Sequence, residues 1–159
     1  MDINYFKSAL YHHSKGNWNK AQEIYQHILN EDPHNYAVLQ NYGPLLAQLR
    51  EYKLAKSVFQ KCLKLKPNDS LLLYNYGKFF HDQKIYEKAI EFYSKSFEIN
   101  PKNSMSQYNI GNIYFAQKKF KNAIEKFKKA AEINPTHSYA YNNIGLAFKK
   151  LGNFDEALK

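Results

Sequence analysis

The chain has 159 residues, of which 44% are hydrophobic, so it can bury a core and does not have the composition of a disordered protein. A single cysteine excludes an internal disulfide framework and a multi-cysteine zinc site. The net charge of +9 means that nucleic acid, a membrane surface and an acidic protein must be weighed as partners.

Four prolines lie at intervals of 34 residues and divide the chain into units of that length. They are Pro33, Pro67, Pro101 and Pro135. Such a period is typical of repeat proteins, whose units bury their apolar faces against each other. We therefore predict four full repeats and a partial fifth, all in one solenoid domain, with the bounds 2–35, 36–69, 70–103, 104–137 and 138–159.

Each repeat is predicted to form two antiparallel helices, as the third repeat illustrates. Its apolar residues recur at helical spacing in Leu73, Tyr76 and Phe80, and again in Ala89, Ile90 and Tyr93. Polar links such as residues 15–17 and 117–119 are too short for any connection but that of an antiparallel helix pair. The proline then prevents the second helix from continuing. These features predict an all-α fold of stacked helix pairs.

Particular residue types recur at fixed places of the repeat. The eighth place is small (Ala9, Gly43, Gly77, Gly111 and Gly145), and the twentieth is alanine (Ala21, Ala55, Ala89, Ala123 and Ala157). The seventeenth place is aromatic (Trp18, Tyr52, Tyr86, Phe120 and Phe154), as is the twenty-fourth (Tyr25, Phe59, Tyr93 and Phe127). This pattern resembles the tetratricopeptide repeat (TPR) over essentially the whole chain, although Ser8, Ala9 and His12 depart from it. The resemblance implies a right-handed superhelix whose concave groove binds extended peptides.

Glycine at the eighth place is expected to lie where the two helices of a repeat cross. An interior glycine destabilises a helix by up to ~1 kcal/mol relative to alanine, so its recurrence implies close packing. Replacing Gly77 with leucine should therefore overpack the crossing, at a cost of about 1–3 kcal/mol.

The outward places of the second helices are polar and charged. In the second repeat they hold Lys53, Ser57, Gln60, Lys61 and Lys64. In later repeats opposite charges recur four residues apart, in the pairs Glu91–Lys95, Lys121–Glu125 and Glu125–Lys129. Each such pair contributes ~0.2–0.5 kcal/mol to an isolated helix. We interpret this side of the repeats as a solvated surface.

The remaining outward places of the first helices, the second, fifth, sixth and ninth, carry Tyr, Asn and Met and few charges. This composition is typical of recognition surfaces. Asparagine recurs at the sixth place although it is a poor residue inside a helix, and its carboxamide can bind a peptide main chain as donor and acceptor. The candidate peptide-binding residues are Asn41, Asn75, Tyr74, Asn109, Tyr108, Asn112 and Asn143.

Two interpretations of the asparagine row stay open. The row resembles that of the TPR superhelix in O-linked N-acetylglucosamine transferases, and it is also common in consensus-like repeats without a role in binding. If it binds a peptide, changing Asn75 and Asn109 to alanine should weaken binding and leave stability nearly intact. A carboxylate clamp is not expected, because no fifth place holds the lysine that such clamps use.

No other chemistry-bearing group stands out in the sequence. Cys62 is expected to be a small buried residue, and the histidines lack metal-ligand spacing. We predict no catalytic site, metal site or cofactor. Asn35, Asp69, Asn103 and His137 are expected to cap the helices that follow them, His137 most weakly. No run approaches the ~18 apolar residues of a membrane span, and we expect a cytoplasmic protein.

The sequence therefore favours a non-catalytic module that binds an extended segment of a partner protein. An alternative is the N-terminal, substrate-selecting arm of a larger enzyme, for example a glycosyltransferase, truncated after residue 159. Nucleic-acid binding is less favoured, because Lys7 and Lys78 are the only basic residues at the groove places.

The fifth repeat ends as its second helix begins, so we expect the chain to be a fragment of a longer protein. The apolar residues of its first helix are Tyr141, Ile144, Phe148 and Leu151. This helix is expected to expose an apolar strip that self-association would cover, and residues from Asn153 onward are expected to fray.

Overall fold

The computed structural model describes residues 3–153, and this part of the chain forms nine α-helices and no strand. The helices are α1 (Ile3–Ser14), α2 (Trp18–Glu31), α3 (Tyr36–Gln48), α4 (Tyr52–Leu65), α5 (Ser70–Asp82), α6 (Tyr86–Ile99), α7 (Ser104–Ala116), α8 (Phe120–Ile133) and α9 (Ser138–Lys150). The predicted all-α fold is confirmed. Phe154, Ala157 and the fraying expected beyond Asn153 lie outside the described residues.

The chain divides into two compact units, Met1–Asn68 and Asp69–Lys159. In the first unit α1 packs on α2 and α3 on α4, and α2 also contacts α3. In the second unit α5 packs on α6 and α7 on α8, while α6 contacts α7 and α8 contacts α9. Helices in each unit thus bury apolar faces within a pair and between consecutive pairs. The exact repeat bounds and the single solenoid domain stay predictions.

The core of each full repeat contains an aromatic ring from its second helix. Tyr25, Phe59, Tyr93 and Phe127 are 0–1% exposed. In three repeats this ring lies against the eighth-place glycine. A Cβ atom added to Gly43 would lie 3.2 Å from the ring of Phe59. The same distance would be 2.8 Å from Gly77 to the ring of Tyr93, and 2.6 Å from Gly111 to the ring of Phe127. The predicted close crossing is therefore confirmed, and Cys62 is fully buried as expected.

The link inside each described repeat has the same backbone conformation. Its left-handed residue stands at the fifteenth place: Gly16 (φ 76°), Arg50 (φ 62°), Lys84 (φ 60°), Lys118 (φ 60°) and Gly152 (φ 78°). The next residue donates its backbone N–H to the carbonyl five residues earlier, as from Ile85 to Phe80 at 2.9 Å. This is the Schellman arrangement, which satisfies the last carbonyls of the first helix.

The predicted helix caps form at two of four places. The side chain of Asn35 accepts a hydrogen bond from the backbone N–H of Val38 at 3.2 Å, and that of Asp69 accepts one from Leu72 at 2.9 Å. Asn103 and His137 make no capping bond, so the expectation is wrong there. The Nδ2 group of Asn103 instead lies 3.5 Å from the Ser96 hydroxyl, and the His137 ring packs on Tyr108 with centroids 4.6 Å apart.

Candidate functional site

Three first helices of the second unit, α5, α7 and α9, present an exposed apolar residue at the second place of their repeats. Leu71 is 55% exposed, Met105 is 40% exposed and Tyr139 is 69% exposed. With the residues at the fifth, sixth and ninth places they form what we call the first-helix face. Lys78, the one basic residue among the first-helix-face places of α5, α7 and α9, pairs with Asp82 on α5 at 2.6 Å. The face therefore combines apolar and uncharged polar groups.

Consecutive first helices are joined on this face by asparagine–tyrosine hydrogen bonds. The Nδ2 group of Asn109 on α7 donates to the hydroxyl of Tyr74 on α5 at 3.0 Å. Asn143 on α9 donates in the same way to Tyr108 on α7, at 3.2 Å, and also to the Oδ1 atom of Asn112, at 3.1 Å. A sixth-place asparagine thus holds the fifth-place tyrosine of the preceding repeat.

This bonding corrects one expectation from the sequence. Asn109 is part-buried and hydrogen-bonded, so replacing it with alanine removes a bond between repeats and is expected to lower stability. Asn75 has no side-chain hydrogen bond to another described residue, so it is the better site for testing binding alone. In the first unit, the Nδ2 group of Asn41 donates to the carbonyl of Ala37 one turn earlier, at 2.8 Å.

The predicted residues thus fall into two groups. The structure brings together Tyr74, Tyr108, Asn109, Asn112 and Asn143 through hydrogen bonds in the second unit. Asn75 belongs to the same face, and Asn41 lies in the first unit on α3.

A part-buried imidazole–phenol pair occurs in each unit, and the sequence analysis missed it. The Tyr25 hydroxyl lies 3.4 Å from Nδ1 of His13, and the Tyr93 hydroxyl lies 3.4 Å from Nδ1 of His81. The signal was present in the sequence: histidine stands at the twelfth place only in the two repeats that have tyrosine at the twenty-fourth. The corresponding pairs of the second and fourth repeats are Ala47–Phe59 and Phe115–Phe127.

Burial sets the protonation of these pairs. It lowers the pKa of His13, against a hydrogen bond that the His13 Nε2 group donates to Oε1 of Gln48 and that raises it. It also lowers the pKa of His81, against the nearby Asp82 carboxylate. Burial also raises the pKa of Tyr25 to about 12 and raises the pKa of Tyr93 further. Both pairs are therefore neutral at neutral pH.

The outer sides of the second helices differ in their ion pairs. The predicted pair between Glu91 and Lys95 is confirmed, at 2.6 Å. The other two predicted partners are wrong, because Glu125 pairs with Lys126 at 2.8 Å and Lys129 pairs with Glu132 at 3.1 Å. Exposed pairs of this kind differ little in free energy, so spacing alone does not choose between partners.

An open groove of about 390 Å³ lies between α8 and α9. It is lined by Lys128, Ala131, Glu132, Pro135, Tyr141, Ile144 and Phe148. Tyr141 is 52% exposed, whereas Leu73 at the same place of the third repeat is 3% exposed. The apolar residues of α9 therefore do line an accessible surface in the described part of the chain.

Residues 3–153 contain neither a metal-binding cluster nor a membrane-spanning helix. No group of three or more His, Cys, Asp or Glu residues in this range is placed to hold a metal ion. No helix in the same range combines the length and the hydropathy that a membrane span requires.

Models of one repeat family match most of the chain. Two models described as tetratricopeptide repeat match residues 12–73 and 58–91, and one described as TPR repeat matches residues 111–152. The chain belongs to the tetratricopeptide repeat family. No curated protein sequence matches it significantly.

Solved structures of TPR proteins share the fold. A MamA crystal structure is 25% identical and superposes with a TM-score of 0.83, the match covering 97% of this chain and 84% of that one. The Pseudomonas aeruginosa pilF protein is 24% identical with a TM-score of 0.87, covering 98% and 71%. YrrB, described as a TPR protein with an unusual peptide-binding site, is 22% identical with a TM-score of 0.74, covering 99% and 81%. The chain therefore has the fold of a TPR-type α-solenoid, which is consistent with a protein-interaction module.

Proposed function

We propose that this TPR chain is a non-catalytic module that binds an extended peptide segment of a partner protein on the first-helix face of its second unit. The observation that carries the proposal is the composition of that face, where Leu71, Met105 and Tyr139 are exposed at the repeat period among uncharged polar groups. Recognition surfaces are enriched in such residues and depleted in charge. The peptide-binding site named for YrrB supports the same function in a protein of this fold.

The hydrogen bonds on the face give the tyrosines and asparagines different roles. Asn109 and Asn143 hold Tyr74 and Tyr108 in fixed positions, which lowers the entropy that these rings lose when a peptide packs on them. Asn75 offers both a donor and an acceptor to a peptide main chain. The exposed apolar row supplies one contact per repeat for the side chains of an extended ligand.

Peptides selected from a random display library against the wild-type chain provide the ligand for a direct test. Leu71→Glu/Met105→Glu places charge on the apolar row and is expected to weaken the selected peptides about tenfold or more. Asn75→Ala is expected to weaken them by a smaller factor without lowering the melting temperature. Affinities are measured by calorimetry on purified variants.

Two matched changes away from the face serve as controls. Ile99→Glu charges a comparably exposed apolar residue at the end of α6, and Asn122→Ala removes an exposed asparagine from α8. Both should bind the peptides like the wild type. Equal affinities for Leu71→Glu/Met105→Glu and Ile99→Glu would contradict the proposal.

A further inference from the structure

Helix α4 differs from the other second helices in charge. It carries Lys53, Lys56, Lys61 and Lys64 and no acidic residue. Lys53, Lys61 and Lys64 lie within about 80° of one another around the helix, and we call these three residues the α4 cationic face. The side chains of all four lysines are exposed, and none forms an ion pair with another described residue. The acidic residue next to them, Glu51, precedes the helix and accepts a hydrogen bond from Gln22 at 2.9 Å. Among the described residues, no carboxylate therefore pairs with the lysines of α4.

The repeats themselves show what α4 lacks. At the twenty-sixth place, Lys95 and Lys129 are neutralised by glutamates at the twenty-second or twenty-ninth place. In α4 the equivalent lysine is Lys61, and those two places hold Ser57 and Lys64. Like charges three residues apart, as in Lys61 and Lys64, are unfavourable in a helix. Helix α4 thus lacks glutamate at the two places from which other repeats pair with the twenty-sixth-place lysine. We infer that its lysines serve an interaction outside the helix.

Apolar residues accompany these lysines. Leu54 and Leu65 are each 41% exposed. Their spacings from Lys61, seven and four residues, place all three on one side of α4. Leu54 is also particular to this helix, because the nineteenth place is lysine or asparagine in the other full repeats. A depression of about 430 Å³ on the same helix is lined by Ser57, Gln60, Lys61, Leu63 and Lys64.

We propose that the α4 cationic face, with Leu54 and Leu65, is a second docking surface that binds an acidic, amphipathic segment of a partner protein. Charge complementarity identifies the occupant: the surface has three lysines over roughly 16 Å of helix, none in an ion pair with another described residue. The exposed leucines favour a protein segment, because a nucleic-acid backbone has no apolar group to set against them. All three cations are lysine rather than the bidentate arginine that phosphate recognition favours.

The test gives α4 the glutamates that α6 and α8 carry at the twenty-second and twenty-ninth places. Ser57→Glu/Lys64→Glu supplies Lys61 with the two neighbours that Lys95 and Lys129 have, so the helix is expected to stay folded. The probe is a labelled amphipathic helical peptide of about 16 residues made of Glu, Ala and Leu, which at roughly 24 Å is long enough to span the α4 surface. Fluorescence anisotropy at near-physiological salt is expected to show binding by the wild type and about tenfold weaker binding by the variant.

A control separates this surface from net charge. Lys121→Glu/Asn122→Glu changes the total charge by the same amount on the exposed side of α8, and it should bind the probe like the wild type. Equal weakening by both double variants would overturn the proposal, as would no binding by the wild type. Tighter binding of a DNA duplex than of the peptide, lost in Ser57→Glu/Lys64→Glu, would assign the surface to nucleic acid instead.

Discussion

At the residue scale, the eighth place of the repeat is limited by the ring that covers it. The clearance from an added Cβ atom to that ring falls from 3.2 Å at Gly43 to 2.8 Å at Gly77 and 2.6 Å at Gly111. A contact near 3.2 Å can be relieved by a shift of the ring by a few tenths of an ångström, whereas one at 2.6 Å requires a larger movement of the ring or of the helix. In the first repeat the same place holds Ala9, which is fully buried, so that crossing does accommodate a methyl group.

The three clearances predict that replacing these glycines with alanine lowers the free energy of unfolding by different amounts. Gly111→Ala is expected to lower the free energy of unfolding by about 1–3 kcal/mol, because overpacking exceeds the gain in helix propensity. Gly43→Ala is expected to stay within about 1 kcal/mol of the wild type, because the two effects nearly cancel. Urea denaturation of each variant measures the difference. Equal losses at Gly43, Gly77 and Gly111 would contradict the graded clearance.

Some residue roles were readable from the sequence and others were not. The packing role of the eighth-place glycines was predictable, because a destabilising residue that recurs every 34 positions implies a packing constraint. The hydrogen bonds from Asn109 to Tyr74 and from Asn143 to Tyr108 were not predictable, because they depend on how consecutive first helices align. Capping by Asn103 failed for a similar reason: a nearby buried hydroxyl, that of Ser96, competes for its side chain.

At the scale of the elements, helix positions were predictable and turn conformations were not. Prolines and short polar links fix where helices end, so α3, α5, α7 and α9 begin at the first residues of the predicted repeats. The residue types in the links did not predict that Arg50, Lys84 and Lys118 adopt φ near +60°. The Schellman bonds impose this conformation whatever residue is present, and glycine adopts it without steric strain.

Glycine at one of these turns should therefore stabilise the chain. Lys84→Gly relieves left-handed strain of about 1–2 kcal/mol, partly offset by the greater freedom of glycine in the unfolded state. We expect a net gain of up to about 1 kcal/mol in the free energy of unfolding. Lys88→Gly, at an exposed position within α6, makes the same chemical change in a right-handed helix and should cost about 1 kcal/mol. The proposal of strain fails if both variants are equally destabilised in thermal unfolding.

At the scale of the whole molecule, each unit has a part-buried imidazole–phenol pair whose pKa values differ from those of the unfolded chain. Burial holds the pKa values of His13 and His81 below the ordinary 6.5. It holds those of Tyr25, Tyr76 and Tyr93 above the ordinary 10.0. Below pH 6.5 the unfolded chain takes up protons that the folded histidines do not, so stability falls as the pH falls. Above pH 10 the unfolded tyrosines ionise first, so stability falls as the pH rises.

The chain is therefore expected to be most stable between about pH 7 and pH 10, with one acid and one alkaline decline. The double variants His13→Ala/Tyr25→Phe and His81→Ala/Tyr93→Phe introduce the residues that the second repeat carries at these places. Each is expected to flatten both declines, because it removes a group whose pKa differs between the folded and unfolded states. The measurement is the free energy of unfolding at a series of pH values. The variants are compared by the slope of this free energy against pH and not by its absolute value, since they also lose packing contacts. Unchanged slopes in both variants would show that the imidazole–phenol pairs do not govern the pH dependence of this protein.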